Sequence, residues 1–187
     1  MSCSKYVGGH SDLMLGSVTA AESRWKDLER MAQLYGQTVG PDDAAMAARG
    51  LRTLGVRLER HQENGLKVAR WLDSQPQVAR VLHPALPDCP GHSHWARDYR
   101  GSSGLFAFVL KGGDGEQCAR FIDGLEHFGL GFSWGGFESL AIPADPAPLR
   151  SVTKWEADGP LVRLHIGLED PDDLIADLDR GLREYHA

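Results

Sequence analysis

The sequence predicts an α/β chain: helices come first, then an α+β layer in which helices back a sheet. Three observations predict it. Leu51, Leu54, Leu58, Leu66, Ala69 and Leu72 recur at helical spacing and form one apolar stripe. Val162, Leu164, Ile166 and Leu168 alternate with Arg163 and His165, the period of a strand with one buried face. Asp170-Pro171, with Asp173 three residues beyond the cap, opens a helix lined on one face by Leu174, Ile175, Leu178 and Leu182.

Taken along the chain, Met1 to Thr19 is polar and glycine-rich and is expected to be a loop. Trp25, Leu28, Ala32 and Tyr35 then mark a helix that Gly36 can end in the left-handed region. Gly40-Pro41-Asp42-Asp43 starts a second helix, because proline suits the first turn and acids complement the positive end of the dipole. A long helix follows to about Asp73, with Gly50 and Gly55 near a bend.

Composition changes at Ser74-Gln75-Pro76, which divides the chain into residues 1–73 and 74–187. Val78 to Leu82 reads as a strand stopped by Pro84 and Pro87, and Gly104 to Leu110 as a buried apolar strand. Lys111 to Gly115 is a turn cluster. Glu116 to Leu125 is a helix with Ala119, Phe121 and Ile122 inward, and Leu130 to Trp134 a short strand running into Gly135-Gly136.

The composition excludes several classes. The chain has 187 residues, 42% hydrophobic and 25% charged, which is globular usage and not disorder. Its net charge of −6 lacks the basic footprint of a nucleic-acid binder or a polybasic membrane surface. No apolar run reaches the roughly 18 residues of a membrane span. The N-terminal residues show no secretory pattern. Three cysteines, Cys3, Cys89 and Cys118, argue against a disulfide framework and for a reducing cytoplasm.

Four places can carry chemistry. Lys5 stands between hydroxyls in Ser-Cys-Ser-Lys-Tyr. It is either a solvated surface charge or a lysine made nucleophilic by its surroundings. Arg163 lies mid-strand. It needs either an internal carboxylate or a substrate carboxylate, which its planar fork matches. Ser133 to Leu140 is either a core turn or a pocket-shaping loop. Cys89, His92 and His94 cluster near Gly91 but lack a second ligand pair, so no metal is assigned. Neither a Walker loop nor a dinucleotide fingerprint is present.

Three longer stretches share one resemblance. Ser2-Cys3-Ser4-Lys5-Tyr6-Val7-Gly8-Gly9-His10-Ser11-Asp12 resembles the cofactor-lysine segment of the Cys/Met-metabolism family of pyridoxal-phosphate enzymes. Ser133-Trp134-Gly135-Gly136-Phe137-Glu138-Ser139-Leu140 is similar to that family's active-site loop. Val162-Arg163-Leu164-His165-Ile166-Gly167-Leu168-Glu169-Asp170 is similar to its carboxylate-binding strand. The motifs stand in the family's order and span nearly the whole chain. The tryptophan of Ser-Trp-Gly-Gly, Gly101 to Phe106 and Val81 to Pro87 look most like the β-lyase branch.

The resemblance implies the C-terminal portion of a fold type I, aspartate-aminotransferase-like enzyme. Residues 1–73 would belong to the large cofactor-binding domain and residues 74–187 would form the small domain. It implies pyridoxal 5'-phosphate held by Lys5, with Ser2 and Ser4 on its phosphate. Arg163 and Ser133 would hold the substrate α-carboxylate, with Trp134 beside it. The implied reaction, a step of methionine biosynthesis and transsulfuration, is β-elimination of cystathionine to homocysteine, pyruvate and ammonia. The family also implies a homotetramer for a full-length form. It places the ring-stacking aromatic, the aspartate on the pyridinium nitrogen and most phosphate contacts before the lysine. Little or no activity is therefore expected from these 187 residues alone. The alternatives are a non-catalytic remnant with a protein-contact surface, and a metal module at Cys89, His92 and His94.

Overall fold

The structure, a computed structural model, describes residues 1–185. Its elements run α1 (Glu22–Leu34), α2 (Pro41–Arg52), α3 (Leu54–Asp73), β1 (Val78–Leu82), α4 (His92–Asp98), β2 (Leu105–Leu110), α5 (Gly115–Asp123), β3 (Leu140–Ala144), β4 (Leu161–His165) and α6 (Pro171–Tyr185). A 3-10 turn at Ala147–Leu149 lies between the last two strands. The four strands form one antiparallel sheet in the order β1-β2-β4-β3. Among the described residues no helix is long and apolar enough to cross a membrane.

The core lies between the sheet and helices α3, α5 and α6. Phe108, Leu110, Phe121, Val162, Leu164, Leu174, Leu178 and Leu182 are fully buried there. Phe108 and Phe121 meet edge to face at 5.9 Å, a preferred aromatic geometry. Apolar residues of β4 and α6 fall on the faces that their periods place inward. Asp170 accepts from the Asp172 backbone N–H at 2.8 Å at the head of α6. Buried Asp177 receives the backbone N–H groups of Glu126, His127 and Phe128. One α6 carboxylate therefore fixes the turn that leaves α5.

Several elements differ from their sequence reading. Leu130 to Trp134 is not a strand. Its Phe132 and Ser133 carbonyls turn toward the Arg163 guanidinium instead of a neighbouring strand. The strand lies further on, at β3. Pro143 conceals it in the sequence, but a sheet edge tolerates the missing donor. Helix α4 forms at His92–Asp98, where the sequence reading assigned no helix. Ala119 of α5 is exposed and Cys118 takes the inward place.

The helical stripes also differ. Leu51 is 57% exposed, and the buried face of α3 is partly polar: Arg57, His61, Asn64 and Gly65 precede Val68, Ala69 and Leu72. The bend falls at Thr53. Gly50 marks a close approach instead, since a side chain there would collide with the Val7 and Gly8 carbonyls. Helix α1 buries none of its residues.

Candidate active site

The site starts from the loop at residues 1–17, which is long and polar yet ordered. Cys3 and Ser4 donate their backbone N–H groups to Leu15 O at 2.8 and 3.1 Å, and Ser2 bridges to Gly16. Arg57 on α3 anchors this loop. Its guanidinium donates to Tyr6 O at 2.7 Å, Val7 O at 3.2 Å and Gly50 O at 2.7 Å. No carboxylate neutralises it among the described residues, so backbone dipoles solvate the charge.

Lys5, held by this loop, reaches across 128 residues of sequence. Its Nζ donates to Ser133 Oγ at 2.5 Å and sits 4.6 Å from the centre of the Trp134 ring. Arg163 on β4 approaches the same ring, with Cζ at 5.4 Å, and lies 5.1 Å from the Phe132 ring. Such cation–ring contacts contribute about 0.5–1 kcal/mol at exposed sites and more when desolvated. Partial burial pulls the Arg163 guanidinium down from its usual range. Its Nη2 donates to Phe132 O at 2.7 Å, and it forms no ion pair among the described residues. The internal Asp or Glu partner weighed as one explanation for a mid-strand arginine is therefore absent among them.

Gly135 explains how the loop closes on the lysine. Its φ of +88° lies in the left-handed region, and an added Cβ would stand 2.7 Å from Tyr6 N and 2.8 Å from the Lys5 carbonyl carbon. Glycine meets both demands, and the turn can press on the Lys5 backbone while presenting Ser133 and Trp134. Ser11 donates to Glu138 from the opposite side of the turn.

The sequence-predicted residues Lys5, Ser133, Trp134 and Arg163 are thus brought together. Ser2 is exposed nearby. Ser4 Oγ is tied to Leu15, accepting from its N–H at 2.9 Å and donating to its carbonyl at 3.3 Å. Cys89, His92 and His94 lie elsewhere. His92 Nδ1 donates to Pro84 O, and among the described residues no three His, Cys, Asp or Glu side chains group as a metal site.

The sequence reading did not single out three rings behind the lysine. Tyr6, His61 and His165 pack together, with ring centres 5.2–5.9 Å apart. Burial raises the Tyr6 phenol, lowers His61 and pulls His165 down to about 4. His165 was visible as the second polar residue on the Arg163 side of β4. His61 stands one turn beyond Arg57 on the buried face of α3.

Comparisons with known proteins place the chain in a family. Residues 1–183 match the profile of the Cys/Met metabolism PLP-dependent enzyme family. A cystathionine beta-lyase of Escherichia coli K12 is 51% identical over 184 residues, covering 96% of this chain and 47% of that protein. A human cystathionine gamma-lyase is 39% identical, covering 99% and 47% respectively. A crystal structure of cystathionine gamma synthase from Xanthomonas oryzae pv. oryzae superposes with a TM-score of 0.86 at 38% identity, covering 99% of this chain and 49% of that one. The chain spans about half the length of the curated relatives it matches.

Proposed function

The chain belongs to the Cys/Met metabolism PLP-dependent enzymes; from that premise we propose that it carries the lysine-bearing part of a carbon–sulfur lyase. The reaction is β-elimination of cystathionine, which with one water gives homocysteine, pyruvate and ammonia. The observation that supports it is the approach of Lys5 and Arg163 to one tryptophan ring, neither cation having an ion-pair partner among the described residues.

The residues present fit the cofactor. Lys5 Nζ has a hydroxyl and an aromatic face as neighbours, with no carboxylate paired to it, so its amine can be consumed by covalent attachment. Lys5 would hold the cofactor there, with the Ser2 and Ser4 segment at its phosphate. Pyridoxal 5'-phosphate, when bound, supplies the electron sink that acidifies the substrate α-proton.

This chain's residues do the rest. Arg163 keeps Nε–H and Nη1–H groups free of protein partners among the described residues, and these receive the substrate α-carboxylate. Nζ of Lys5, once free, takes the α-proton and returns a proton to the departing sulfur. Ser133 Oγ, already accepting from Nζ, steers that amine. Trp134 sets its ring against both cations and so holds the two side chains on one side of the site.

The test is spectroscopic. Pyridoxal 5'-phosphate added to the purified chain should give visible absorbance that Lys5→Ala abolishes. Free-aldehyde absorbance alone, identical in both proteins, would overturn the role of Lys5. Arg163→Ala should weaken binding of an amino-acid substrate in a complete enzyme at least tenfold, the loss of one charge-assisted pair of about 1.5–3 kcal/mol. Cofactor binding should change far less. Because the resemblance places the ring-nitrogen and most phosphate contacts outside these residues, the 187 residues alone should turn over cystathionine slowly or not at all.

A further inference from the structure

The rings behind Lys5 pose a bookkeeping problem that the reaction does not use. His61 and His165 are almost fully buried, at 0% and 1% exposure. Each nevertheless has a ring nitrogen without a partner: His61 Nε2 and His165 Nδ1. Buried polar atoms of native proteins are nearly always paired, so these orphans, with Tyr6 Oη as a third in the same touching rings, call for an explanation.

The remaining contacts constrain where the protons are. His61 Nδ1 lies 2.8 Å from Ile166 O, a carbonyl that can only accept. His61 therefore carries its proton on Nδ1, and Nε2 is a bare acceptor. His165 Nε2 faces two groups at 3.1 Å: the Gly135 N–H, which must donate, and the Gly136 carbonyl, which must accept. One nitrogen cannot serve both. With the proton on Nε2, His165 pairs with Gly136 O. The Gly135 N–H then loses its partner, and two bare acceptors are left in the same buried space. With the proton on Nδ1, His165 has a donor to set against the bare acceptor of His61 and Nε2 accepts from Gly135, at the cost of the donor to the Gly136 carbonyl.

The ring centres are 5.2 Å apart and tilted by 40°, so the imidazoles touch without a hydrogen bond between them, and the bond requires the rings to turn toward each other. Tyr6 does not compete for His61. Its hydroxyl makes no hydrogen bond either, and Ser103 and the Gly104 backbone are the polar groups that act on it. Burial also keeps both imidazoles neutral at pH 7, so each has one N–H and one lone pair to place.

We propose that His61 and His165 form one directed hydrogen-bond relay. It runs from the Gly135 N–H to His165 Nε2, from His165 Nδ1–H to His61 Nε2, and from His61 Nδ1–H to Ile166 O. It positions the Gly135–Gly136 turn against the backbone of Lys5. Both histidines are positioning residues: they set the turn that presents Ser133 and Trp134, and they touch no substrate. The consequence for chemistry rests on the reading of Lys5 and Arg163 given above, whereas the tautomers do not.

Long-range proton–nitrogen NMR on the ¹⁵N-labelled 187-residue chain at pH 7 tests this without cofactor. Both histidines should show a protonated Nδ1 and a bare Nε2. A His165 protonated on Nε2 overturns the relay. His61→Leu removes the acceptor and should switch His165 to the Nε2–H form, while exchange of the Gly135 amide becomes about tenfold faster. His61→Gln, which restores an acceptor oxygen, should preserve both signals. An unchanged His165 tautomer in folded His61→Leu also overturns the relay. If that variant does not fold, the wild-type tautomer decides alone. The proposed lyase activity and this relay fail separately, because the first is read from the spectrum with added cofactor and the second from the protein by itself.

Discussion

Helices α6 and α1 both carry apolar residues at helical spacing, yet they finish in opposite environments. Leu174, Leu178 and Leu182 of α6 are fully buried against the sheet and α5. In and beside α1, Trp25 is 50% exposed and Tyr35 71% exposed, and no residue of the helix is buried. Their caps differ too. Asp170 accepts a backbone N–H at the head of α6, whereas Ala21 offers no side chain to α1. Amphipathic spacing states that a helix has a face to bury. It does not state that these residues supply the surface to bury it on. At 13 residues, α1 is near the roughly 12–15 at which an isolated helix is marginal, so little besides its own hydrogen bonds holds it.

The widest test of this contrast is acid. His83 and His165 are buried in the sheet region with pKa values lowered from 6.5 to about 4 by desolvation, while α1 contains no histidine. The unfolded chain takes up protons below pH 6.5 that the folded chain refuses until about pH 4. Stability is thus complete above pH 6.5 and falls as pH drops toward 4, by up to ~3 kcal/mol per histidine. Urea titrations across that window should show the midpoint falling. A constant midpoint would mean that these rings are not buried neutral.

Core truncation comes next. Phe108→Ala should cost about 3–5 kcal/mol in denaturant unfolding, because the site is fully packed. Trp25→Ala in α1 marks the other end of the scale, within ~0.5 kcal/mol despite removing a larger side chain. A large cost at Trp25 would break the comparison by revealing a partner for that face.

Much of the sheet layer was legible because strand and helix periods agreed with burial at β1, β2, β4 and α6. The rest was concealed for physical reasons. Strand β3 contains Pro143, acceptable only because β3 is an edge, and edge position is a property of the assembled sheet. The stripe predicted through Leu51 failed because the loop around Lys5 meets polar residues of α3 instead, with Arg57 hydrogen-bonded to its carbonyls. At the site, spacing alone left Lys5 and Arg163 with two readings each. The resemblance brought them to one place with Trp134 beside Arg163, and the structure adds that Lys5 and Arg163 both approach that ring. His61 and His165 stayed hidden because their meaning lies in each other, 104 residues apart in sequence, and local pattern does not report such pairs.

The hydrogen bond from Lys5 to Ser133 has a consequence in time as well as in space. It spans 128 residues and depends on a loop that Arg57 fastens 50 residues downstream. Closing such long stretches of chain costs entropy that only finished neighbours can repay. The Lys5 loop therefore has no place to dock until the α2–α3 corner exists, and Ser133 has none until β4 has recruited its carbonyls through Arg163. During refolding, helical signal and sheet formation should precede the meeting of Lys5 with Trp134. The proposed site around Lys5 should then be the last part of the molecule to assemble.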